Sequence, residues 1–335
     1  MYNKAKVHKI YSLIIKLVVI VVACLYIYWR MFVKENIGDT IRSFHSISIN
    51  AFIYILIPVF LLMFLNWGIE SIKWKYLIKK IETVPFTKSL IAVLTGITVS
   101  IFTPNRVGEF AGRVFVLEKA DRWKAVVITI LGNFGQLLVT IIAGAIGFLF
   151  FAKEYINPGA TQEYYFYGLL MIVVIMVILL LLLFFNVSFL TNVVNRLPAK
   201  LNKVKQYGDV FSLYTKKELL LILLFSLGRY IIFIAQFYLL LLLFGVDIPL
   251  SETIMMTAMI YLVMAAIPTF AFTELGIRGS VAVYFIGMYF DMHNLSGGND
   301  LGILAATTVL WFINLAIPAL IGAVLIFKLK FFRKD

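Results

Sequence analysis

Glu109 and Arg113 stand four residues apart, and so do Glu274 and Arg278. On a helix that spacing sets acid and base side by side on one face. Each pair belongs to a stretch that breaks an apolar run with a proline. The first, TPNRVGEFAGR over 103–113, holds Pro104, Arg106, Gly108 and Gly112. The second, PTFAFTELGIRG over 268–279, holds Pro268 and Gly276. Guanidinium groups bind phosphate bidentately. A helix that opens at such a break points backbone N–H groups at an anion. The carboxylates can neutralise these arginines or hold a cationic headgroup, and Gly108 and Gly112 leave room for close approach. The set suits a lipid headgroup that carries phosphate. The simpler alternative is that each pair is a satisfied ion pair stapling its own segment.

The elements that must position these residues are membrane helices. The chain has 335 residues, 62% of them hydrophobic, and a mean hydropathy of +0.97. That composition excludes a soluble globular domain. The apolar runs are continuous rather than alternating, which excludes an outer-membrane barrel. The expected fold is all-α and polytopic, one transmembrane domain over 1–335. Six full spans are expected at Ile10–Val33, Ile47–Trp67, Ala125–Ala152, Tyr164–Phe185, Leu219–Phe244 and Leu301–Phe327. The first of these is too long for a cleaved signal peptide and reads as a retained anchor.

The two motif-bearing stretches differ from the spans. Leu90–Phe102 would reach only ~20 Å at ~1.5 Å per residue, short of a ~30 Å hydrocarbon core. A second short helix is expected over Arg106–Glu118, making a re-entrant hairpin over 90–118. A second hairpin is expected over 253–290, with Thr253–Ile267 stopped by Pro268. Paired, Pro/Gly-interrupted segments of this kind point to a transporter's binding site. Leu190, Val194, Leu197, Leu201, Val204 and Phe211 recur at helical spacing, so 189–216 reads as an amphipathic segment on the inner leaflet.

Charge sets the orientation. The net charge of +13 would suggest nucleic acid in a soluble protein, but here the cations flank the spans, and no nucleic-acid partner is expected. The segments read as cytoplasmic, which include Lys73 and Lys75 in a loop after Trp67, hold 21 of the 30 Lys and Arg. Both termini are then cytoplasmic. The first hairpin enters from the cytoplasm and the second from the opposite face, an inverted pseudo-repeat.

Other polar residues fall within spans. Asn133 and Gln136 are either helix–helix contacts or part of a site, and Arg229 either pairs, snorkels or meets substrate. Cys24 is alone, and His8, His45 and His293 are scattered, so neither a disulfide nor a metal site is expected. No phosphate loop, nucleophile elbow or cofactor motif is present.

The two stretches resemble the transmembrane region of the lysylphosphatidylglycerol synthase/flippase family, over nearly the whole chain. Family motif residues fall on Pro104, Arg106, Gly108, Glu109, Arg113, Glu274, Gly276 and Arg278. Where the late motif often ends Arg-Glu, here Gly279 follows Arg278 and Glu274 lies four residues earlier. The resemblance implies a bacterial inner-membrane protein that moves or binds lipid-linked substrates. The aminoacyl-transferring members carry a large soluble domain, and the sequence here runs to Asp335, so lysine transfer is not expected. The expectation is a flippase or transporter of phospholipid or of a lipid-linked substrate with an anionic headgroup. It is expected to have no cofactor and no enzymatic activity, to partner membrane lipids, and to leave homo-oligomerisation open. A membrane-embedded transferase using a lipid-linked donor and a non-transporting scaffold are the alternatives.

Overall fold

A backbone in lipid satisfies its own N–H and C=O groups only as helix or closed barrel, and the apolar runs of this chain fold as helices. A computed structural model describes residues 49–156, 162–186, 207, 209–295 and 299–326. No strand occurs among them. The expected first span, with Lys16 and Cys24, lies outside the described residues, as does most of 189–216.

The helices are α1 Ile49–Ile78, α2 Phe86–Ile101, α3 Gly108–Val114, α4 Arg122–Tyr155, α5 Gln162–Phe185, α6 Lys216–Leu243, α7 Leu250–Ala266, α8 Ala271–Met292, α9 Asp300–Trp311 and α10 Ile317–Ile326. Pro104–Arg106 and Asp209–Leu213 are short 3-10 turns, and a π turn over Phe312–Ala316 joins α9 to α10. Three helix starts are capped by the Asp121, Thr215 and Asn299 side chains. Asp121 accepts from the Trp123 and Lys124 amides ahead of α4. Thr215 and Glu218 form a reciprocal capping box ahead of α6. Asn299 accepts from the Gly302 amide and donates to the Phe244 carbonyl, joining the start of α9 to the end of α6.

Five of these segments are long and apolar enough to cross a membrane: Phe52–Ile78, Arg122–Tyr155, Tyr164–Phe185, Lys216–Leu243 and Asp300–Leu325. They coincide with five of the six expected spans. One boundary moves. The helix expected to stop at Trp67 continues unbroken to Ile78, so Glu70 and Lys73 lie within it rather than in a loop. Of these five, α5 is the least buried within the bundle; it packs on α4 and α6.

Two broken helical hairpins lie among the spans. In the first, α2 and α3 pack so tightly that a Cβ on Gly112 would sit 2.7 Å from Gly96 Cα. Its two ends lie together. Glu82, just before α2, accepts from the amides of Glu118, Lys119 and Ala120, just before α4. Those bonds replace helical ones, and α3 therefore ends at Val114 and does not reach Glu118 as expected. In the second hairpin, α7 runs antiparallel to α4, with Gly147 against Ala258 and Gly144 against Leu262. Its start lies at the far end of α4, where the Tyr155 hydroxyl donates to Glu252 at 2.9 Å, and Phe285 of α8 meets Phe151 edge-on nearby. The hairpins thus approach from opposite ends of α4. Gly276 lies inside an unbroken α8, and Gly112 lies inside α3, so neither breaks a helix. The breaks fall at Pro104–Val107, ahead of Gly108, and at Ile267–Phe270, around Pro268.

Candidate functional site

The two breaks meet. The Asn105 amide donates to the Thr269 carbonyl at 2.9 Å, and the Asn105 side chain accepts from the Thr269 amide at 3.1 Å. This exchange fixes the backbone at the tip of the first hairpin. Asn105 and Arg106 both adopt the left-handed region, with φ of 51° and 56°. Asn tolerates that region and Arg does so at a cost of ~1–2 kcal/mol, a strain that clusters at functional sites. Arg106 is held there by Glu274: its Nη2 donates to both carboxylate oxygens, at 3.0 and 2.7 Å. The first break is also capped internally, since the Gly108 amide donates to Thr103 Oγ1 at 2.8 Å. The expected row of free N–H groups is therefore partly taken up at this break.

Both i,i+4 pairs form. Arg113 bonds Glu109, and Arg278 bonds Glu274. The pairs do more than staple their own helices, because each is shared. Glu274 also takes Arg106 from the other hairpin, and Arg113 also donates to Glu70 of α1 at 2.8 Å.

Glu70 is the residue that sequence reasoning missed. It is wholly buried and takes three cations: Arg113, Arg229 and Lys73, the last at 2.8 Å. Lys73 also donates to the Gly132 carbonyl at 3.4 Å. Arg229 reaches Asn66 Oδ1 at 2.8 Å and lies over the Trp67 and Phe233 rings. It pairs within the bundle and does not snorkel. A chain of amides continues from there: Asn66 donates to Asn314 at 3.3 Å, Asn314 to Gln236 at 3.1 Å, and Gln236 to the Val59 carbonyl at 2.9 Å. Asn314 sits in the π turn, a distortion that often marks a functional position. The available signal was the helical spacing of Asn66, Glu70 and Lys73, which share one face of α1.

Beside this network is a cavity of about 710 Å³, within the range of small-molecule sites. Arg106, Glu109, Asn133, Gln136, Arg229, Pro268, Glu274 and Arg278 all line it. Arg113 does not; it is buried behind Glu109. Gln136 donates to the Ser226 carbonyl at 3.3 Å, bridging α4 to α6, while its Oε1 is buried without a partner. Five aromatic side chains also line the cavity, Trp67, Tyr230, Phe233, Tyr261 and Trp311, among aliphatic and small polar ones. Arg278 lies over the Tyr261 ring. Among the described residues, no group of three His, Cys, Asp or Glu is arranged to hold a metal ion.

These features define a helical membrane protein with a charged cavity where two oppositely directed broken hairpins meet. The chain belongs to the family of the lysylphosphatidylglycerol synthase TM region, whose model matches residues 13–322. None of the curated proteins matches the chain. The family ties this membrane protein to lipid metabolism or transport.

Proposed function

We propose that the protein is a carrier, a flippase of phospholipid or of a lipid-linked substrate with an anionic headgroup, and that the headgroup phosphate binds in the cavity between the hairpin tips. The observation that carries this reading is the convergence of Arg106, Arg229 and Arg278 on one cavity among membrane helices. Ionisable residues at membrane depth are costly and mark substrate pathways. In this reading the hairpins are re-entrant, one from each face of a bacterial inner membrane, and both termini are cytoplasmic. The tips part and rejoin as one half rocks against the other. The sequence holds no nucleotide-binding motif, so transport runs on gradients or mass action.

The test is a vesicle assay that scores labelled headgroups on each leaflet. Glu109→Ala and Arg278→Ala are expected to slow the exchange at least tenfold. Exchange at the parent rate in both variants would remove the site assignment. A covalent lipid product, seen by mass spectrometry, would favour a transferase instead. Single-cysteine labelling in a Cys24→Ser background tests the orientation. Asn157→Cys and Leu295→Cys should react from outside, and Lys203→Cys only from the cytoplasm.

A further inference from the structure

The ion pairs form two clusters: Lys73, Arg113 and Arg229 with Glu70 and Glu109, three cations against two carboxylates, and Arg106 and Arg278 with Glu274, two cations against one. Every carboxylate is already shared or paired. Two positive charges are left without a counter-charge among the described residues. In a low-dielectric interior uncompensated charge is costly, and a ligand that supplies the missing charge is bound in proportion.

The unpartnered polar atoms point the same way. Trp67 Nε1, Tyr230 OH, Tyr261 OH and Arg278 Nε are buried on the cavity wall without a hydrogen-bond partner. Trp67 is 8% exposed and Tyr230 5%. The indole and the guanidinium nitrogen only donate, and the phenols can donate. The wall therefore asks for several acceptor oxygens. Its unpartnered buried acceptor, beyond the phenols, is Gln136 Oε1. A headgroup ending in ammonium groups would bring donors to a wall of donors and positive charge to a positive site.

We propose that the cavity selects a lipid headgroup with two negative charges on phosphate oxygens, a phosphomonoester or a pyrophosphate diester, over a singly charged phosphodiester and over a cationic aminoacylated lipid. This rests on the carrier reading and specifies its substrate. A phosphodiester supplies one charge and leaves one cation uncompensated. A phosphomonoester at pH 8 or a pyrophosphate diester supplies both, and each offers more oxygens to the four donors.

The test uses the full chain in phosphatidylcholine nanodiscs at pH 8, titrated calorimetrically with four probes: dihexanoyl phosphatidate, the pyrophosphate diester farnesyl methyl diphosphate, dihexanoyl phosphatidylglycerol and the lysyl ester of the last. Phosphatidate, farnesyl methyl diphosphate or both are expected to bind at least about tenfold tighter than phosphatidylglycerol, on the scale of one buried charge contact, and the lysyl ester weakest. Which of the two binds tighter identifies the source of the dianion. Arg278→Gln should reduce the preference to under about threefold. Tyr261→Phe keeps charge and shape, and should weaken the preferred dianion about three- to tenfold through one lost hydrogen bond. An unchanged affinity in Tyr261→Phe, or phosphatidylglycerol or its lysyl ester binding as tightly as the dianions, overturns the proposal and leaves the carrier reading standing. If no probe binds and no lipid crosses in the vesicle assay, the carrier reading itself falls.

Discussion

Arg106 and Glu274 stand 168 residues apart in sequence, yet one guanidinium nitrogen donates to both carboxylate oxygens, at 3.0 and 2.7 Å. The bond ties the tip of one hairpin to the first turn of the helix that follows the other break. Arg278 binds the same carboxylate from its own helix. Two arginines thus share one acid, and removing either changes what the other holds. Arg106→Gln and Arg278→Gln should therefore be non-additive in lipid binding, with a coupling of about 0.5–3 kcal/mol. A double-mutant cycle in detergent or nanodiscs measures it. Strictly additive losses would mean two separate sites, and the shared site at the tips would have to be abandoned.

The hub at Glu70 makes the clearest stability prediction. Its carboxylate neutralises Arg113 of the first hairpin, Arg229 of α6 and Lys73 of its own helix, with no exposure. Glu70→Gln keeps the shape and removes the charge, leaving three buried cations together. Breaking a buried pair this way costs ~3–5 kcal/mol. The thermal midpoint of the purified protein should fall by many degrees. A midpoint within a degree or two of the parent would show that the three cations find other partners.

How much of this was legible beforehand depends on range. The apolar runs read directly as helices, because lipid leaves the backbone no alternative. Glu109 with Arg113 and Glu274 with Arg278 were readable because an i,i+4 contact is local. The Arg106–Glu274 bond and the Asn105–Thr269 exchange join residues far apart, and no spacing rule reports such a contact. Glu70 was hidden for a different reason. Helix α1 was expected to end at Trp67, where lysines begin, and Lys73 was counted as a loop cation. Its charge is instead compensated inside the bundle, so the polar face of Asn66, Glu70 and Lys73 continues the helix. The short α3 was overestimated because Glu82, a residue far upstream, takes the amides that would have extended it.

Two glycines of the motifs should respond in opposite directions. A Cβ on Gly112 would lie 2.7 Å from Gly96 Cα and 2.9 Å from the Thr95 carbonyl oxygen, both backbone atoms with nowhere to move. Gly112→Ala must push the arms of the first hairpin apart, at a cost of ~1–3 kcal/mol. Gly276 lies within α8, and nothing stands within 4 Å of its Cβ position. Gly276→Ala should stabilise the helix by ~0.5–1 kcal/mol through the lower backbone entropy of the unfolded chain. Thermal unfolding of the two variants side by side is the check. If Gly276→Ala raises stability and yet slows lipid exchange, the open space beside it serves the lipid. If it lowers stability, the space is filled in the folded protein.

Glu82 makes the junction of the first hairpin sensitive to acid. Partial burial raises the pKa of its carboxyl, but the amides of Ala120, Glu118 and Lys119 and the nearby Lys88 charge outweigh that and bring it below the ordinary value. A carboxyl whose folded pKa is depressed contributes stability above its unfolded pKa of ~4.3, and that contribution is lost as pH falls through the lower folded value. Between pH 8 and 5 the junction should therefore be indifferent to pH. Glu82→Gln should speed hydrogen exchange at the Lys119 and Ala120 amides at pH 7, after correction for intrinsic rates. As pH drops below about 4, the parent should converge on the variant because its own carboxylate is protonated. A gap between the two that persists unchanged to pH 3 would mean that the junction depends on the shape of the side chain and not on its charge.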